Sequence, residues 1–98
     1  MMKYNVIVTD NAKDDIRLIK KFFAKNGRAS VQKFVDKLRK IIFILRSYPF
    51  IGKGRIGVDS DILFFPFHAH YLISYMIVEN KIFILRVLTG FEDIQSIF

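Results

Sequence analysis

The chain has 98 residues, enough for one domain with a single hydrophobic core and too few for two. It is 52% apolar with 11 Phe and no cysteine, so a core is well supplied while disulfides and thiolate zinc sites are excluded. No apolar run approaches the roughly eighteen residues of a membrane span, and the opening MMKYNVIVTD turns polar too soon for a signal peptide, so the expected location is the cytoplasm.

The net charge of +7 is unevenly placed: residues 13–55 carry thirteen Lys/Arg against three Asp/Glu, and residues 56–98 carry two against five. A basic half of this kind suits nucleic acid, an acidic protein partner, or simply a solubilising helical surface.

Residues 3–9 alternate as a strand, with Tyr4, Val6 and Val8 on one side and Asn5, Ile7 and Thr9 on the other. Asp10 or Asn11 is then expected to cap a helix, with Asp14 and Asp15 near its positive end. Ala12, Ile16, Ile19 and Phe23, flanked by Phe22, mark its buried face, and Asn26-Gly27 supplies a left-handed stop. Ser30 is the expected cap of a second helix. Val31, Phe34, Val35, Leu38, Ile41, Ile42 and Leu45 form its apolar stripe, opposite Lys33, Asp36, Lys37 and Lys40. Phe43 and Ile44 widen that arc, for further helix contact or for a partner. Pro49 ends the helix no later than Tyr48.

The loop GKGRIG at residues 52–57 is basic and glycine-rich. It lacks the Gly-Lys-Ser/Thr of a P-loop entering a helix, so it reads as a connector or as a loop able to hold a phosphate through Lys53, Arg55 and its backbone. Residues 62–67 (ILFFPF) read as a strand with Pro66 at an edge or at its end. Residues 71–90, YLISYMIVENKIFILRVLTG, read as a hairpin turning at Glu79-Asn80, with Asn80 tolerating the positive φ. That turn opposes Ile77 to Ile82, Tyr75 to Ile84 and Ile73 to Arg86. Arg86 is a cation within an apolar strand. Either its stem packs and its head meets a carboxylate such as Asp93, or it is the cation of a ligand or partner site. Phe91, Ile94, Ile97 and Phe98 fall at helical spacing, as packing or as a partner surface. His68 and His70 share a strand face, but no third metal ligand stands out and no Ser-His-Asp set or close acidic pair is visible. No catalytic residue, metal site or cofactor is expected from these patterns.

The expected fold is therefore α+β, in the order β-α-α-β-β-β, a helical hairpin packed on a small antiparallel-dominated sheet, with residues 1–98 as one domain. HYLISY (residues 70–75) with ILRVLTGFED (residues 84–93) resembles the "YLI-x-Y … ILRVLHG-x-x-D" hairpin of the ParE branch of the RelE/ParE toxin superfamily. The family's "Ala-x-x-Asp-Leu" is similar to Ala12, Asp15 and Ile16, and its "Pro-x-x-Gly-x-x-x-Arg" to Pro49, Gly52 and Arg55, one residue shorter. The chain departs from the pattern at Thr89, where the family has histidine. An arginine often found in the second strand has no clear match, Ile62 and His68 being nearest.

This resemblance implies a toxin of a type II toxin–antitoxin system, with a role in stress response. Such proteins pair with a cognate antitoxin, and the ParE branch is linked to inhibition of DNA gyrase by binding. Nucleases resembling RelE carry an arginine directly after the tyrosine of the third strand, where this chain has Leu72. They also carry Arg, His or Tyr in the C-terminal segment, and residues 87–98 have none. A ribosome-dependent messenger-RNA nuclease with displaced residues, or a non-toxic antitoxin-binding relic, stays as the alternative. On the gyrase reading, Arg86, Lys53 and Arg55 are expected at the target and Phe91, Ile94 and Phe98 at the antitoxin. No membrane contact and no sequence-specific nucleic-acid binding are expected.

Overall fold

A computed structural model describes residues 4–68 and 70–89. The elements run β1 (Asn5–Val8), α1 (Asp10–Ala24), α2 (Arg28–Ser47), a single 3₁₀ turn (Pro49–Ile51), β2 (Leu63–His68), β3 (Tyr71–Val78) and β4 (Lys81–Thr89). This is the expected order. The four strands lie as β1-β4-β3-β2, with β1 parallel to β4 and the other two pairs antiparallel. Pro66 accordingly sits on an edge strand, where its missing N–H costs no ladder bond.

The helical hairpin covers one face of the sheet. Ala12 and Ile19 of α1, with Phe34, Ile41 and Leu45 of α2, pack onto Phe67, Ile73, Tyr75, Ile82, Ile84 and Val87. At one end of this core Phe23, Phe34, Phe67 and Tyr71 form an aromatic cluster with ring centroids 5.3–6.5 Å apart. Phe34, Val35, Leu38, Ile41 and Leu45 of the stripe read in α2 are therefore core or packed on it, and Ile44 joins them, whereas Phe43 and Phe22 stay largely exposed.

Both helix starts differ from expectation. Thr9 rather than Asp10 or Asn11 caps α1: its Oγ1 accepts from the Ala12 N–H at 3.3 Å. The same hydroxyl donates toward the Ile84 and Leu85 carbonyls of β4, at 2.8 and 3.1 Å. A carboxylate accepts only and cannot do both. Gly27 is the cap residue of α2, and Ser30 lies inside its first turn, donating to the Asn26 carbonyl. The φ of Gly27 is +95° with ψ at 172°, a conformation open to glycine and not the left-handed helical stop anticipated.

The β3–β4 hairpin turns at Glu79-Asn80 as read, but the positive φ of 57° falls on Glu79, the first central residue. Ile77 faces Ile82 and Tyr75 faces Ile84, after which the register slips: Ser74 faces Arg86 and Ile73 faces Val87, leaving Leu85 unopposed. The pairing of Ile73 with Arg86 is thus corrected by a bulge. It lies where β1 runs out, since the last β1 pair is Val8 with Ile84. Beyond that point β4 has lost its neighbour, and a bulge there re-aims the strand.

Candidate functional site

The outer edge of β4 beyond the bulge is closed by α1. The Asp15 carboxylate takes Arg86 in a two-point grip, Nε to Oδ2 at 2.7 Å and Nη2 to Oδ1 at 2.9 Å. Oδ2 also accepts the Val87 N–H at 3.0 Å. One carboxylate therefore satisfies a strand-edge donor and neutralises the cation inside the apolar hairpin. The side chains are 13% exposed for Asp15 and 28% for Arg86. Of the two readings of Arg86, the packed, carboxylate-bound one describes its geometry. The named carboxylate, Asp93, lies outside the described residues, and the described partner is Asp15. The sequence places Asp15 at the start of the helix and in the family-like Ala12, Asp15 and Ile16 pattern, but its spacing gives no hint of a contact made 71 residues away.

A second arrangement centres on Tyr75, in the middle of β3. The Tyr75 ring is fully buried, and its hydroxyl donates to the Pro49 carbonyl at 2.7 Å while accepting the Gly52 N–H at 2.8 Å. Burial pushes the Tyr75 pKa above 10.0, with the Gly52 N–H pulling the other way. A Cβ on Gly52 would lie 2.5 Å from the Tyr75 oxygen and 3.0 Å from the Phe64 carbonyl oxygen, so only glycine fits. The next residue, Lys53, exchanges both backbone hydrogen bonds with Phe64, at 2.8 and 2.9 Å. The guanidinium of Arg55 lies 5.2 Å above the Phe64 ring. The first half of the basic loop is thus fixed to the sheet. Tyr75 and Gly52 were not singled out for this role in the sequence, although a tyrosine within an apolar strand has a hydroxyl that must find a partner.

The loop and β2 enclose a cavity of about 380 Å³ lined by Ile51, Lys53, Gly54, Arg55, Phe64, Phe65, Pro66 and Leu72. It brings Lys53 and Arg55 together with Leu72, the position at which the resemblance expects arginine in a nuclease. Arg86 belongs to the separate Asp15 clamp. A larger groove of about 630 Å³ is lined by the apolar Phe23, Phe34, Ile41 and Ile44 and by Lys33, Lys37 and Lys40 with one acid, Asp36. Phe91, Ile94 and Phe98 lie outside the described residues. His70 is exposed, and among the described residues no three His, Cys, Asp or Glu side chains come together as metal ligands. No described helix is long and apolar enough to cross a membrane.

Two helices packed on a four-stranded mixed sheet, in the order β-α-α-β-β-β, make a ParE-like α+β fold. The profile described as "ParE toxin of type II toxin-antitoxin system, parDE" matches residues 6–94, and the chain belongs to that family. Among solved structures it is similar to one titled "Chromosomal ParDE TA system from P. aeruginosa" (TM-score 0.74, 17% identity, 89% of this chain and 96% of that one). It is also similar to the "YoeB/ParE toxin from Agrobacterium tumefaciens" (TM-score 0.62, 17% identity, 87% and 97% covered). No protein of curated function matches the chain.

Proposed function

We propose that this member of the ParE toxin family inhibits DNA gyrase by binding it, and that a cognate antitoxin neutralises it. The cavity at Leu72 carries the reading. RNA cleavage requires side chains that move protons or stabilise charge at the scissile phosphate. Here the apolar Ile51, Phe64, Pro66 and Leu72 face two cations, and among the described residues no histidine, tyrosine or carboxylate lines the space. Such a surface suits binding better than proton exchange with a substrate. Inhibition by binding needs only that one state of the gyrase cycle be held more tightly than the others.

The groove on α2 supports an antitoxin whose contacting segment is both acidic and apolar, matching Lys33, Lys37 and Lys40 above Phe34 and Ile41. Phe91, Ile94 and Phe98 are assigned to the same partner. Calorimetry with the cognate antitoxin is expected to give micromolar or tighter affinity, roughly −8 kcal/mol or better, with a fall in heat capacity from apolar burial.

The deciding experiment sets two assays side by side. Purified protein is expected to inhibit gyrase supercoiling, with accumulation of cleaved DNA, and to leave messenger RNA intact on programmed ribosomes. Ribosome-dependent cutting with gyrase untouched would overturn the reading in favour of the nuclease branch.

A further inference from the structure

Among the described residues, the three most exposed large apolar side chains fall in one short segment. Between residues 48 and 56, Tyr48 is 67% exposed, Phe50 71%, Ile51 45% and Ile56 94%. In an unanchored loop such exposure would carry little meaning. This loop is anchored: Tyr75 holds it at Pro49 and Gly52, Lys53 is laddered to Phe64, and Arg55 lies over the Phe64 ring. Residues held at their base while exposing aromatic and aliphatic side chains at solvent have the composition of interface anchors, whose ordering cost has already been met within the fold.

We propose that residues 48–56 are the target-docking element of this toxin, that they fit an acidic protein surface with apolar clefts, and that Tyr75 is their positioning residue. The inference rests on the reading that the protein acts by binding its target. The charge follows from the setting. Lys53 and Arg55 are both exposed and no carboxylate falls within residues 48–56. The loop also ends the stretch of residues 13–55 that holds thirteen of the sixteen Lys/Arg. Opposite charge on the partner speeds encounter and fixes register, while the apolar anchors supply the dwell time. Tyr48 and Phe50 could stack on a base, but Ile51 and Ile56 offer no stacking face and two cations make few phosphate contacts, so protein fits the whole element better than nucleic acid.

Three variants of the full chain test this, alongside a control on the exposed face of α1. They are Phe50→Ser with Ile56→Ser, Lys53→Gln with Arg55→Gln, and Tyr75→Phe; the control is Lys20→Gln with Lys21→Gln. Each is read by melting temperature, by growth arrest on induced expression, and by gyrase supercoiling and binding at several salt concentrations. The two loop pairs are expected to keep the wild-type melting temperature and to lose about tenfold or more in inhibition. The cation pair should act mainly through the association rate and flatten its salt dependence. Tyr75→Phe should weaken target binding without altering that salt dependence, a pattern that general loss of stability does not produce. The control should inhibit as wild type does.

Either loop pair retaining full inhibition overturns the docking assignment while leaving gyrase as the target. Wild type that arrests growth but ignores gyrase removes gyrase, and growth arrest by the loop variants then decides the loop. Wild type inert in both assays removes both. Binding of linear duplex DNA alone as tightly as gyrase, lost in the same loop variants, would make nucleic acid the occupant and overturn the protein surface.

Discussion

Replacing Asp15 by alanine strands two groups at once: the Arg86 guanidinium, 28% exposed inside an apolar hairpin, and the Val87 N–H on the edge of β4. Hydrogen bonds to charged groups contribute about 1.5–3 kcal/mol each, and breaking a fully buried pair from one side costs about 3–5. The partial exposure of Arg86 lets water replace some of what is lost, so the expected loss for Asp15→Ala is about 2–3 kcal/mol. Arg86→Met should cost about as much, about 2–3 kcal/mol: Asp15 keeps the Val87 N–H, but its carboxylate, only 13% exposed, loses its cation. The double variant should be less destabilised than the sum of the singles by about 1–2 kcal/mol, the coupling of charged partners in direct contact. Urea unfolding of the four proteins gives these values at the midpoint. For a domain of this size each kcal/mol moves the melting temperature by about 4–8 °C, so Asp15→Ala should melt about 8–24 °C early. Single losses under about 0.5 kcal/mol with no coupling would refute the clamp and return Arg86 to the surface.

Other perturbations address the remaining observations. Gly52→Ala places a Cβ against the Tyr75 hydroxyl and the Phe64 carbonyl, and should destabilise by about 1–3 kcal/mol by thermal unfolding. Tyr75 has a folded-state pKa raised above 10.0, so its native form binds more protons than the unfolded chain. The stability this gives is fully present below pH 10 and is lost as pH rises through the folded value. Unfolding titrations above pH 10 should therefore fall more steeply for wild type than for Tyr75→Phe. Glu79→Gly removes a side chain from a positive φ of 57°, and should raise stability by up to about 1 kcal/mol in the same denaturant assay.

The element order, the edge position of Pro66, the single-face core and the hairpin turn were legible because each follows from a local pattern: period, turn chemistry or a missing N–H. Errors gathered where one group serves two elements. Thr9 wins the α1 cap because its hydroxyl also reaches β4, and a cap assigned from α1 alone favours the carboxylate beside it. The register beyond Ile84 depends on where β1 stops, and the hairpin sequence does not record that length. Arg86 was recognised as anomalous, but its partner comes from the other end of the chain.

The family pattern becomes physical once its fragments are seen in space. "Ala-x-x-Asp-Leu" near the start and "ILRVL" near the end are the two halves of one clamp, Asp15 with Arg86. "Pro-x-x-Gly" and the second tyrosine of "YLI-x-Y" are the two halves of another, Pro49 and Gly52 with Tyr75. Both pairs join the helical hairpin or its exit loop to the central strands. Neither touches the cavity at Leu72 or the exposed tips of the loop. A pattern of this kind therefore specifies the scaffold and says little about the target. The target must be argued from the side chains the scaffold holds out: Phe50, Ile56, Lys53 and Arg55 at the loop, and Leu72 where a nuclease would need a cation.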